Sequence, residues 1–204
     1  MTRYTTISAP GDESLYTEKR SRFIGRALPV RTVEEALAAV EEVRAKYRDA
    51  RHVCWAFRLG HEPEAAERSN DDGEPSGTAG RPLLGRLIAA DLRDVLVVVV
   101  RYYGGINLGT GRLAVAYRTA AEAALATAPR LTVTLTARYR LTFPFDLINP
   151  VMMLLRVAGA EVQSRDSDEE GHLWTVTLPL EREESFVKDG RNLYRLTIEQ
   201  LTPP

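Results

Sequence analysis

Val95-Leu-Val-Val-Val-Val-Arg-Tyr-Tyr-Gly-Gly-Ile-Asn-Leu-Gly-Thr-Gly111 decides how the rest of the chain is read. An apolar run passes into a loop with glycines at 104, 105, 109 and 111, and then into an alanine-rich amphipathic segment. The order is strand, glycine loop, helix. Residues 95–100 show no polar alternation, so the strand is expected to be central and covered on both faces. The glycines let the backbone take positive φ and approach another group closely, and the helix behind them turns unpaired N–H groups toward the loop. Their spacing is neither a P-loop, since no Gly-Lys-Ser/Thr follows, nor the Gly-x-Gly-x-x-Gly dinucleotide fingerprint.

Beyond the loop, Leu113, Ala116, Tyr117, Ala120, Ala121 and Ala124 mark one helical stripe, which Pro129 ends. Upstream, residues 4–10 and 19–27 read as two strands, the second placing Arg20, Arg22 and Arg26 on one side. Thr32 is a suitable N-cap with Glu35 three positions on, and Val33, Leu37, Val40, Val43 and Tyr47 recur at helical spacing, which predicts a helix over 33–47. Residues 52–60 read as a buried strand and residues 62–80 as a long polar loop; residues 82–90 fit a short helix with Pro82 as its first residue. After a strand or linker at 131–136, the pattern changes to strand 138–145, helix 147–158, strands 161–166 and 173–180, helix 181–192 and strand 194–201. That βαββαβ order is the ferredoxin-like split βαβ motif, with an acidic hairpin turn at 166–171. Two domains are therefore expected, 1–136 and 137–204.

The chain has 204 residues, enough for two small cores, and a net charge of −1, which argues against a protein that coats nucleic acid nonspecifically. A local basic face is compatible with that total. Up to residue 136 there are 19 basic and 17 acidic residues, against 8 and 11 beyond it, so the first domain is the one expected to face an anion. Cys54 is the single cysteine, which excludes an intrachain disulfide. No apolar run approaches the roughly 20 residues a membrane span needs, and residues 1–11 lack the apolar core of a signal peptide. A cytoplasmic protein without membrane attachment is expected.

Asp71-Asp-Gly-Glu-Pro-Ser-Gly-Thr-Ala-Gly-Arg-Pro82, followed by residues 97–111, resembles the hallmark of the IMPACT/YigZ family. Lys19-Arg-Ser-Arg-Phe23 and His52-Val-Cys-Trp-Ala-Phe57 accompany it in the family's order, so the resemblance covers most of the first domain and points to the bacterial two-domain type. It implies an α+β chain. The N-terminal αβ domain would be similar to the second domain of a small-subunit ribosomal protein and to domain IV of elongation factor G. The C-terminal ferredoxin-like βαββαβ domain would be similar to domain V of that factor. The family's eukaryotic members are regulators of translation that act on a stress kinase through its partner protein. They lack this C-terminal domain, so that partnership is not carried over. One departure stands in the helix: Val115 occupies the place, two before Tyr117, where the family has arginine, leaving Arg112 and Arg118 as the nearby bases.

Two readings of the acidic loop stay open. Asp71, Asp72 and Glu74 either gather around a hard cation or a water, or accept backbone N–H bonds and pair with Arg101 or another arginine in an ordered loop. They lack the full calcium-loop spacing, and no metal or cofactor is expected. For the glycine loop the readings are phosphate or RNA-backbone contact and a structural turn. Arg101, Tyr102 and Tyr103 have the chemistry of a single-strand site, although alternation puts Tyr102 opposite the other two and makes one tyrosine a core residue. The expected phosphate or nucleic-acid set is Lys19, Arg20, Arg22, Arg101, Tyr103, Gly104, Gly105, Gly109, Gly111 and Arg112. Cys54 reads as a small buried thiol rather than a nucleophile served by His52, and His52, His61 and His172 are too scattered for zinc. No catalytic residue is assigned. The function expected is a translation-associated regulator binding RNA or the ribosome. The alternatives are a metal-dependent enzyme acting on a phosphorylated substrate, or a protein-interaction module whose ferredoxin-like domain docks a protein partner.

Overall fold

The computed structural model describes residues 2–60 and 65–201, a mixed α+β chain of two compact units. His61 lies outside the described residues. The first unit, Arg3–Val133, contains β1 (Arg3–Ile7), β2 (Ser14–Glu18), β3 (Ser21–Pro29), α1 (Val33–Lys46), β4 (His52–Leu59), β5 (Ala66–Asn70), α2 (Gly80–Ala89), β6 (Val95–Tyr102), α3 (Thr110–Thr127) and all but the last residue of β7 (Arg130–Thr134). Five strands form an antiparallel sheet in the order β2-β3-β6-β4-β5, and β1 pairs with β7 separately.

The central place of β6 explains its composition. Val95, Val97 and Val99 pack with Leu83 and Leu87 of α2 and Leu113, Ala116 and Tyr117 of α3. Leu96, Val98 and Val100 pack on the opposite face with Ala36, Val40 and Val43 of α1. Helices cover both faces, so the strand has no solvent side on which polar residues would alternate. Thr32 caps α1, its Oγ1 accepting the Glu35 N–H at 3.1 Å, while the Glu35 carboxylate accepts the Arg31 N–H at 2.7 Å. Ala36 takes the core place expected for Leu37, which is turned outward.

Several boundaries differ from the sequence expectation. Lys19 and Arg20 do not begin a strand; they form the two-residue turn between β2 and β3, with φ of 45° and 66°. Arg20 therefore leaves the row of Arg22 and Arg26. The strand β5 lies inside the stretch expected to be loop: four of its five residues are exposed at the sheet edge, so no buried face marks it. Helix α2 starts at Gly80 rather than Pro82. Its cap is not local, since Asp71 Oδ1 accepts the N–H groups of Ala79 and Gly80 at 2.9 and 2.8 Å. A cap borrowed from nine residues upstream leaves no signature next to the helix.

The second unit, from Thr134 onward, contains β8 (Thr136–Phe143), α4 (Ile148–Ala158), β9 (Glu161–Ser167), β10 (His172–Pro179), α5 (Glu183–Arg191) and β11 (Thr197–Leu201). Its antiparallel sheet has the order β11-β8-β10-β9, the arrangement of the split βαβ motif. Here alternation is clean. Ala137, Tyr139, Leu141 and Phe143 are buried against Val151, Leu154 and Phe186, while the residues between them are exposed. Asp168 Oδ1 holds the acidic turn by accepting the N–H groups of Glu170 and Gly171. Among the described residues no helix is long and apolar enough to cross a membrane.

Candidate functional site

Strand register builds the site. Phe23 of β3 and His52 of β4 both pair with Arg101 of β6, so the three side chains form a row across the sheet on the α3 face. Arg101 was expected at a solvent-facing nucleic-acid surface; it is instead 5 % exposed. Odd-numbered positions of β6 point toward α2 and α3, and Arg101 continues that parity past Val99. Such a buried cation needs a partner. Glu74, from the acidic loop, supplies it: Arg101 Nη1 lies 2.7 and 2.9 Å from the two carboxylate oxygens. Tyr117 of α3 donates to Glu74 Oε1 at 2.8 Å, and the Cys54 Sγ lies 3.3 Å from the Tyr117 oxygen and 3.0 Å from the Asp71 carbonyl. Burial pushes the ionisations of both Cys54 and Tyr117 upward, so both remain protonated and neither is an activated nucleophile. His52 Nδ1 sits 2.7 Å from the Asp72 carbonyl oxygen. Because a carbonyl only accepts, that nitrogen carries the proton and Nε2 faces Glu74 at 3.9 Å.

The three acidic-loop carboxylates do not converge. Glu74 is committed to Arg101 and Tyr117. Asp71 accepts backbone N–H bonds from Gly77, Ala79 and Gly80. Asp72 makes a two-bond pair with Arg44 at 3.0 and 3.2 Å and accepts the Val53 N–H at 2.7 Å. This is the ordered-loop arrangement, and among the described residues no group of three or more His, Cys, Asp or Glu side chains is placed to hold a metal ion. For Asp71, burial alone raises the pKa, but the three backbone donors reverse that and leave it lowered. Asp72 behaves alike, with burial outweighed by the Arg44 and Val53 hydrogen bonds. A carboxyl that titrates lower when folded stabilises the fold above its unfolded pKa of about 4, and that contribution is lost as pH falls through the folded value. Thermal melts from about pH 6 down to about pH 3 should therefore show wild type losing stability more steeply below about pH 4 than an Asp71→Asn, Asp72→Asn double variant. Parallel curves would contradict the assignment.

The glycine loop meets the basic hairpin at one point. A Cβ on Gly104 would lie 2.2 Å from the Arg20 carbonyl carbon and 2.5 Å from the Ser21 nitrogen, and the Gly104 N–H donates to Ser21 Oγ at 3.1 Å. Only glycine permits that approach. Gly105 and Gly109 have φ of 82° and 78°, while Gly111 is in the first turn of α3 with open space around it. Tyr102 is half-buried, packed against the core on the α1 face. Tyr102 takes the face opposite Arg101, beneath the Arg22 guanidinium at 4.7 Å and bonded to Asp49. Tyr103 returns to the Arg101 side with its ring 5.4 Å from that guanidinium and 41 % of its surface exposed. Lys19, Arg20, Arg22 and Arg112 are all exposed. Val115 is also exposed, and Arg112 and Arg118, near it in sequence, reach solvent as well.

His52, Glu74 and Arg101 line a cavity of about 480 Å³ together with Arg51, Tyr103, Leu108, Gly109, Thr110 and Leu113. The acidic and glycine loops thus share one site. Sequence reasoning missed Arg51 and read Tyr117 as simple core. The one available signal was its hydroxyl, which a buried tyrosine must satisfy. Placing His52 beside Arg101 required the β4–β6 pairing, which no local pattern encodes.

A model of the Impact N-terminal domain matches residues 19–125. The IMPACT family member YigZ of Escherichia coli (strain K12) is 38% identical over 149 residues, covering 72% of this chain and 73% of that protein. The IMPACT homolog of Saccharomyces cerevisiae is 35% identical over 111 residues, which are 52% of this chain and 42% of the yeast protein. A crystal structure of a hypothetical protein matches with a TM-score of 0.68 and 32% identity, covering 100% of both chains.

Proposed function

The chain belongs to the IMPACT family, and from that membership we propose that it is a translation-associated regulator whose first unit holds RNA, free or within the ribosome. The observation that supports this most is the seating of Gly104 on the Arg20–Ser21 backbone. It joins the basic hairpin and the glycine loop into one surface, on which Lys19, Arg20 and Tyr103 are exposed. Cations beside an exposed aromatic ring suit a phosphate backbone with stackable bases. A likeness to elongation factor G, domain IV for the first unit and domain V for the second, belongs to the same proposal, as does a cytoplasmic place of action. Asp71, Asp72 and Glu74 are engaged by donors within their own unit, which favours this reading over the metal-dependent alternative.

Filter binding of ribosomal RNA and of ribosomes at several salt concentrations tests it. Affinity should fall as salt rises, and a Lys19→Gln, Arg112→Gln double variant should flatten the log–log slope by up to about two. Undetectable affinity at low salt, or affinity indifferent to salt, would sink the proposal.

A further inference from the structure

We propose that the cavity beside Arg101 binds the phosphate monoester of a nucleotide, either a free mononucleotide or the phosphorylated 5′ end of an RNA. Two independent observations meet there. The first is the start of α3, an 18-residue helix that no side chain caps. Its first intrahelical bond runs from the Leu113 N–H to the Gly109 carbonyl, so the N–H groups of Thr110, Gly111 and Arg112 have no partner within the helix, and Gly109 and Thr110 line the cavity. The second is Arg101 itself. Both of its hydrogen bonds leave from Nη1 and go to Glu74; Nε is unpartnered but sealed from solvent, whereas Nη2, which makes no bond among the described residues, is not sealed and is the donor left for a ligand. A guanidinium this deeply buried, lining a cavity with donors unspent, is poised for an anion.

The balance of charge agrees. Glu74 offsets one arginine, Arg51 adds a second at the same cavity, and the positive end of α3 adds to it. Size then narrows the ligand. About 480 Å³ is far more than a bare phosphate fills and lies in the range of small organic ligands. Leu108 and Leu113 give the remainder an apolar wall, and the exposed ring of Tyr103 offers a face for a flat base. A phosphate has three oxygens to meet donors from α3, Arg101 and Arg51 together, whereas a carboxylate has two. This inference does not depend on the exposed hairpin surface gripping a polynucleotide.

Calorimetry and phosphorus NMR on the full chain would test it with AMP, UMP, adenosine, inorganic phosphate, and two short RNAs differing only in a 5′-phosphate or 5′-hydroxyl. Saturable binding is expected, with a phosphorylated ligand at least about tenfold tighter than its unphosphorylated counterpart. Thr110→Pro removes one N–H donor at the first helical position, where proline is favoured and the extended Gly109 ψ of 157° admits it. Thr110→Pro and Arg51→Gln should each weaken binding about tenfold while leaving the melting temperature near wild type. Binding confined to the phosphorylated RNA, or to the free mononucleotides, supports the site and identifies the source. Four results would overturn it: no phosphorylated ligand saturates, the phosphate gives no advantage, inorganic phosphate binds as tightly as AMP, or both variants bind like wild type. Loss of 5′-hydroxyl RNA binding in a Lys19→Gln, Arg20→Gln variant with nucleotide binding intact supports the site and separates it from the hairpin surface.

Discussion

Replacing Glu74 with alanine is expected to cost the first unit about 3–5 kcal/mol, because it strands a buried cation rather than trimming a surface contact. Arg101 is 5 % exposed and, among the described residues, its hydrogen bonds go to Glu74 alone; Tyr117 is fully buried and donates its hydroxyl proton to the same carboxylate. Removing the carboxylate leaves a guanidinium and a phenol without acceptors, and the lost desolvation compensation exceeds any gain from a smaller side chain. Denaturant unfolding followed by Trp55 fluorescence, in a Trp174→Phe background that silences the second unit, measures the effect. The companion test is Glu74→Leu with Arg101→Met. If the penalty comes from an unpaired charge, removing both ions should recover most of the stability, whereas if it comes from loop geometry the double variant should be no better. A loss below about 1 kcal/mol in Glu74→Ala would show that water reaches Arg101 and that the pair is not buried in solution.

The same network shows how far the sequence can be read. The strand, glycine loop and helix were legible because each has a local signature: an unbroken apolar run, clustered glycines, and a stripe from Leu113 to Ala124. The βαββαβ order was legible because β8 alternates cleanly between core and solvent. The edge strand β5 was not, since Ala66–Asn70 has no buried face to impose a period. Alternation correctly set Arg101 and Tyr103 against Tyr102. It could not say which face meets solvent, and the charge of Arg101 suggested the wrong one. Only the pairing of β6 with β3 and β4 puts Arg101 between Phe23 and His52, and pairing is nonlocal. Glu74 was recognised as a partner for Arg101 or another arginine. Tyr117 was read as core, and its second duty as a donor belongs to tertiary structure.

Two alanine substitutions in the one glycine loop should act in opposite directions. Gly104→Ala is expected to destabilise the first unit by about 1–3 kcal/mol, toward the upper end, because the new methyl meets backbone atoms of Arg20 and Ser21 that have no rotamer to yield. Relief requires the hairpin turn to move away, yet Lys19 and Arg20 already hold left-handed φ and Ser21 Oγ accepts the Gly104 N–H. Gly111→Ala meets nothing within 4 Å, lies inside α3 and lacks a positive φ, so it should stabilise by roughly 0.5–1 kcal/mol through reduced freedom of the unfolded chain. Denaturation midpoints of the two variants decide the sign, and equal shifts would contradict the close packing at Gly104. The functional consequence follows from the same geometry. If the hairpin and the glycine loop act on RNA as one surface, Gly104→Ala should weaken RNA binding at temperatures where the unit is still folded. A folded Gly104→Ala protein that binds like wild type would mean that the joint between loop and hairpin serves the fold alone.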